Sequence, residues 1–270
     1  MKIREKFQMV EGWRISVNTP RQERISFITE IFGADLAGAQ LSEVDLAGVD
    51  LHMSDLSGAD FSKSDLSGAN LSGVNFADSK LIGVNLAGAN LCGADLSMSN
   101  LAGAVLTGAN LSGAKLAKAD LSGADLTGAD LFGADLYQTI LFETKLIGAD
   151  LSGVNISRTV IKGAIFSEAD CFGVDFACMN LSGIDFAGAD LAYCVFLGAD
   201  LSGTNLLGAN LTGADLLGAD LSRANLTGAG LADVDLFAAD FCHAILVGAD
   251  ISPQNPVSSN LVKARWKFEN

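Results

Sequence analysis

Leu121 to Asp135 reads LSGADLTGADLFGAD, three copies of one five-residue word with no letter out of phase. Stepping by five in either direction keeps the same register from Ile31 to Ile251, without insertion or deletion, for 45 consecutive pentapeptides. Taking the Leu of each word as its centre, 33 centres are Leu, seven Phe, four Ile and one Cys (Cys171). The residue two before the centre is usually Ala, and otherwise mostly Val, Ser or Thr. The residue just before it is mainly Asp or Asn. Small residues follow the centre, and Gly is commonest two after it.

Neither regular secondary structure can use a period of five. Five residues advance an α-helix by about 500°, so successive Leu would drift by about 140° and wrap every face. In a flat strand the same period switches sides at each repeat. A chain that turns a corner every five residues does fit, with the centre and the small residue two before it pointing inward. Gly near each corner permits the positive φ that tight turns require. Four corners then close a square coil of 20 residues, and stacked centres fill the axis.

At this point the sequence resembles the pentapeptide-repeat family, whose consensus A(D/N)LXX is written here as Ala124-Asp125-Leu126-Thr127-Gly128. The resemblance covers 31–251. It implies an all-β fold, a right-handed quadrilateral parallel β-helix of about 11 coils, and at the ~4.8 Å strand spacing a rod ~54 Å long. Residues 1–30 stand outside the register. Thr19-Pro20-Arg21-Gln22 has a helix-start signature, with Ile25, Ile28 and Phe32 as one apolar face. A short helical cap is expected there, since a solenoid exposes an apolar end wherever stacking stops; a disordered leader is the alternative. Pro253 and Pro256 end the repeat. The tail 252–270, with Leu261, Val262, Trp266 and Phe268, either folds back as a second cap or serves as a dimerisation element.

Bulk composition narrows the function classes. The chain of 270 residues has a mean hydropathy of +0.35, yet no apolar run approaches the ~18–20 residues of a spanning helix. The charged start MKIREKFQMVEGWR lacks the apolar core of a signal peptide. Five Cys, odd in number and without a CxxC pair, fit a reduced cytoplasmic setting. The net charge of −15 is concentrated in the repeats, which carry 27 acidic and eight basic residues. An acidic body argues against direct nucleic-acid binding, which needs a basic stripe.

The residues offer little catalytic chemistry. His52 and His243 are far apart, and no Ser-His-Asp set, HExxH or zinc-type spacing is present. No enzyme, no cofactor and no metal are expected; the Asp rows read as ladders, not as cages for calcium. The centres Phe166, Phe176, Phe186 and Phe196 predict a locally wider or distorted core. Two surface features are candidates for binding. One wall should carry Asp50, Asp130, Asp150, Asp170, Asp190 and Asp250, an acidic face that either hydrogen-bonds corner backbone or docks a basic partner. Leu197, Leu217 and Phe237 should line up outward on another wall, with Tyr137 further along, while Leu207 and Val247 fall on the opposite wall. Together with Leu261, Trp266 and Phe268 that row is a candidate dimer or partner contact through the C-terminal region.

These features predict a non-catalytic rod that presents flat acidic faces to a protein partner. The alternative implied by the resemblance is a mimic of duplex DNA that binds DNA gyrase, as one branch of the family does. Against that, the expected charge density is about one per 2.8 Å of rod, compared with one per ~1.7 Å in duplex DNA.

Overall fold

The computed structural model describes residues 32–251. Each pentapeptide is one side of a coil, and the residue before each centre pairs in parallel with its counterpart 20 residues on, as in Asp130 with Asp150 and Asp150 with Asp170. These are single-residue pairings. Only at the end do they lengthen into two-residue strands, β1 (Gly230–Leu231) and β2 (Asp250–Ile251), paired in parallel. Four walls result. Wall 1 carries the row Asp50 to Asp250, wall 2 Asp35 to Asp235, wall 3 Gln40 to Asp240, and wall 4 Asp45 to Ile245.

The word at Leu121 shows how the backbone is satisfied. Leu121 N–H donates to the Ile140 carbonyl and Gly123 N–H to the Phe142 carbonyl, both in the next coil. Asp125 N–H donates to Ala104 in the previous coil, and Ala124 N–H closes the turn on the Leu121 carbonyl. The remaining donor, Ser122 N–H, goes to the Asp120 side chain at 2.9 Å. All five donors of the word are thus used, which a buried backbone requires. This last bond explains the Asp and Asn: a carboxylate or amide oxygen caps the one N–H that neither stacking nor the turn consumes.

The turn places the residue two after each centre in the left-handed region, with φ between 54° and 74° at all 44 such positions. Glycine holds 28 of them and other residues 16. A left-handed third residue with a hydrogen bond closing four residues is the type II pattern. At Gly213 a second reason operates, because a Cβ there would lie 2.7 Å from the Tyr193 ring of the coil beneath.

The core is the expected one. Every centre from Leu51 to Leu246 is buried, and the small slot two before it is buried almost throughout. Phe166 packs on Phe186 and Phe176 on Phe196, each with ring centroids 5.2 Å apart, as 20-residue stacking demands. The distortion expected around them is present and takes the form of a seam. Between the Gly153–Ala164 stretch and the Phe172–Asp185 stretch above it, eight successive coil-to-coil hydrogen bonds are missing among the described residues, and the pairings of Asn155 and Val160 with the next coil go with them. The proposed helix over Thr19-Pro20-Arg21-Gln22 and the tail with Leu261, Val262, Trp266 and Phe268 lie outside the described residues.

Candidate functional site: the acidic and aromatic wall

Wall 1 brings the six sequence-predicted carboxylates into one row. Asp130, Asp150, Asp170 and Asp190 are consecutive rungs, Asp50 is separated from them by Asn70, Asn90 and Asn110, and Asp250 lies beyond Asn210 and Gly230. The turn-capping reading of this row is visible in the hydrogen bonds. Oδ1 of Asp50, Asp130, Asp150, Asp170 and Asp190 accepts the N–H of His52, Phe132, Ser152, Phe172 and Ala192 at 2.9–3.1 Å. In these five carboxylates the fold uses Oδ1 to complete the turn.

Where Asn and Asp alternate, the amide bridges the coils: Asn70 Nδ2 donates to Asp50 Oδ1 at 3.1 Å and Asn210 Nδ2 to Asp190 Oδ1 at 3.0 Å. Between Asp130 and Asp190 no amide intervenes, so four carboxylates stack at ~4.8 Å. Elsewhere lysines relieve such rows, with Lys115 3.6 Å from Asp95 on wall 2 and Lys145 3.4 Å from Asp125 on wall 4. Wall 1 and its following turn contain no Lys or Arg, against seven acidic residues once Asp233 is included.

The same wall exposes aromatic rings that sequence reasoning missed. Phe132 and Phe172 follow their centres at the wall 1 corner and are 58% and 49% exposed. Tyr193, 58% exposed, meets Phe172 edge-on with centroids 5.4 Å apart and lies against Gly213 of the next coil. The signal was available, since Phe132 and Phe172 are two coils apart in register, and Tyr193 stands where Gly is usual. At the far end Phe32 stacks on His52 with centroids 5.2 Å apart, and His52 Nδ1 sits 2.6 Å from Asp50 Oδ1. The hydrogen bond with His52 is the largest cause holding the Asp50 carboxyl below its usual range, against some loss of solvation.

The aliphatic row is less exposed than expected. Leu197, Leu217 and Phe237 are stacked on wall 2, where Gly198 N–H bonds the Leu217 carbonyl and Gly218 N–H that of Phe237. Leu197 is 39% and Phe237 57% exposed, but Leu217 between them is half-buried. Tyr137, three rungs below Leu197 and separated from it by Ser157 and Ala177, is also half-buried. On wall 4 Leu207 is exposed and Val247 half-buried.

Reactive groups are few. Cys171 and Cys194 are buried in contact, with the Cys194 thiol donating to the Cys171 carbonyl. Burial is the main cause that pushes the Cys194 thiol up to about 12 and Cys171 well above its ordinary value. Neither supplies a thiolate near neutrality. Among the described residues no three His, Cys, Asp or Glu converge as metal ligands, and no helix is long and apolar enough to cross a membrane.

Four walls of stacked parallel pairings define a repeat solenoid. The pentapeptide-repeat model matches in eight copies, in segments running from 32–62 to 204–241, and the chain belongs to that family. No match was found among curated proteins. Among solved structures, HetL, a pentapeptide repeat protein involved in heterocyst differentiation regulation from the cyanobacterium Nostoc, is 28% identical over 88% of this chain and 90% of its own, with a TM-score of 0.31. Rfr23 from the cyanobacterium Cyanothece is 29% identical over 53% of this chain and 88% of its own, with a TM-score of 0.31. QnrB1, a plasmid-mediated fluoroquinolone resistance protein, is 20% identical over 76% of this chain and 89% of its own, with a TM-score of 0.43. These superpositions are too loose to carry a function across.

Proposed function

We propose that this protein is a non-catalytic scaffold, a rod of about 11 coils that docks a basic protein partner on wall 1. The observation that carries this reading is the coincidence, on one wall, of the uninterrupted run Asp130, Asp150, Asp170 and Asp190, the absence of Lys and Arg, and the exposed rings of Phe132, Phe172 and Tyr193. Carboxylates beside aromatic faces suit arginine and lysine side chains, which gain ion pairs and cation–π contacts together. Each such ring at a desolvated contact contributes on the order of 0.5–2 kcal/mol. The reduced cytoplasm is the proposed setting.

The test is affinity capture from a cytoplasmic lysate with three baits. Wild type and Leu197→Asp with Phe237→Asp, altered on wall 2, should retain one stoichiometric partner. Phe132→Ala with Phe172→Ala and Tyr193→Ala should lose it. Retention by the wall 1 variant overturns the wall 1 contact, and loss only by the wall 2 variant transfers it to the aliphatic row.

The charge excess of the repeats, 27 acidic against eight basic residues, favours a second reading, a duplex-DNA mimic directed at DNA gyrase. Its density is about 60% of that of duplex DNA, which places it second. Purified protein should then alter gyrase supercoiling at low micromolar concentration, and no effect across that range eliminates the mimic.

A further inference from the structure

Among the described residues, the seam beneath the Phe-rich coils is the one place where the ladder fails. Twelve coil-to-coil bonds are expected in one circuit, and the four that survive here are Asp170 N–H to Ala149, Leu151 N–H to Asp170, Phe166 N–H to Asp185 and Glu168 N–H to Ala187. The missing eight form one continuous run. Their donors are Gly153, Ile156, Arg158, Ile161, Gly163, Asp175, Asn180 and Asp185, the last at the wall 4 edge of the seam, where Ile165 still pairs with Asp185. One coil below and one coil above, the equivalent bonds are complete; Leu136 N–H reaches Asn155 and Val195 N–H reaches Val174.

Burial supports the gap independently. The slot two before the centre is buried at every position from Val49 to Ala244 except Thr159 and Met179, which face each other across the seam. Asn155, Val160, Asp175 and Asn180, on the two lips, are all exposed, whereas Ile165 and Asp185 on wall 4 are half-buried. The opening therefore faces walls 2 and 3, and the joint is kept on walls 1 and 4.

Side-chain volume accounts for it. Most coils place Ala in this slot, but here Val154, Thr159 and Ala164 meet Val174, Met179 and Ile184. The Thr159 hydroxyl turns back to the Ile156 carbonyl of its own turn, while Thr139 and Thr144 donate across to the previous coil at 2.8 Å. A packed wall cannot absorb added methylenes without moving, and overpacking is relieved by shifting backbone.

We propose that the solenoid is hinged at this seam: residues 32–163 and 172–251 act as two stacked blocks, joined along walls 1 and 4 and opening on walls 2 and 3, with Met179 as the wedge. Phe132 lies on the first block and Phe172 and Tyr193 on the second, so a partner covering the three rings grips both blocks across the hinge line. In a linear array each interface contributes separately, so one weak interface lowers cooperativity between the blocks.

Residue-resolved hydrogen exchange on the full chain tests this without any substitution. The seven donors of the seam from Gly153 to Asn180 should exchange at least roughly tenfold faster than Leu136, Gln138, Leu141, Val195, Asp200 and Asn205 in the flanking coils. Equal protection in the two sets overturns the hinge. Met179→Ala, which restores the commonest slot residue, should slow exchange at Ile156, Ile161, Asp175 and Asn180 toward the flanking values. Unchanged fast exchange in that variant overturns the role of Met179 as wedge.

Discussion

Ser64 and Ser79 occupy the same inward slot, yet their hydroxyls meet opposite fates. Ser64 Oγ donates to the Leu41 carbonyl at 2.6 Å and accepts Val44 N–H at 3.2 Å, while buried Ser79 Oγ has no partner. Leaving a buried hydroxyl unsatisfied costs about 1–3 kcal/mol. Ser79→Ala should therefore stabilise by about 1 kcal/mol, and Ser64→Ala should destabilise by a similar amount because it orphans Val44 N–H. Denaturant midpoints at constant m-value check the pair. A second residue-scale effect is conformational. Ala238 sits at φ 58°. The left-handed region costs an L-residue about 1–2 kcal/mol, and glycine's extra freedom when unfolded returns about 0.5–1 of that. Ala238→Gly should then raise stability by roughly 0.5–1 kcal/mol, read from the same midpoints. Sequence pattern made the turn legible through its glycines. It could not reveal that residues such as Glu143 and Arg158 adopt the same φ, because packing of the coil overrides local preference there.

At the scale of a single wall, the unrelieved carboxylates have a stability consequence. Like charges directly opposite on neighbouring strands are unfavourable, by roughly 0.2–1 kcal/mol per pair. Asn155 shows the remedy, since its Nδ2 donates to Asp135 Oδ1 at 2.9 Å while its own oxygen still accepts Ser157 N–H at 3.2 Å. Asp150→Asn should copy that arrangement between Asp130 and Asp170, raising stability at low salt and weakening capture of the partner. A loss of stability in thermal melts at low ionic strength would contradict the account. The wall's membership was legible because a 20-residue period places Asp130, Asp150, Asp170 and Asp190 in line whatever the details. The capping role of each carboxylate was not, because choosing which oxygen caps Ser152 or Phe172 requires the turn geometry. Phe132 and Phe172 were legible in principle from their 40-residue spacing, but Ser152 between them breaks the row that Leu197, Leu217 and Phe237 form without a gap. The seam was half legible: large centres from Phe166 to Phe196 announced distortion, but the wedge is Met179, one residue in a slot that tolerates Val without effect at Val74 and Val84.

For the molecule as a whole, pH sets two opposed effects in competition. Asp50, Asp60, Asp95 and Asp125 all lie below the ordinary 3.8. At Asp50, Asp60 and Asp125 the largest cause is a side-chain hydrogen bond, from His52, Ser62 and Thr127 respectively, opposed by burial; at Asp95 burial is the largest influence and is outweighed by hydrogen bonds from Ser97 and the charge of Lys115. A carboxylate whose folded value is depressed contributes stability that is fully present above its unfolded value and is lost as pH falls through the folded one. Protonation also removes the mutual repulsion of a chain with net charge −15, which acts in the stabilising direction. Salt separates the two. At high ionic strength the repulsion is screened, since the Debye length falls to ~3 Å near 1 M, while short hydrogen bonds to the carboxylates are retained. The melting temperature should therefore rise on adding salt at neutral pH. In high salt it should stay level down to about pH 4 and fall below that as the capping oxygens of the turns are protonated. Thermal melts at two salt concentrations across pH 2–7 decide it. A high-salt profile that stays level or rises below the ordinary 3.8 would show that the Asp ladder is a charged decoration and not the acceptor that completes each turn.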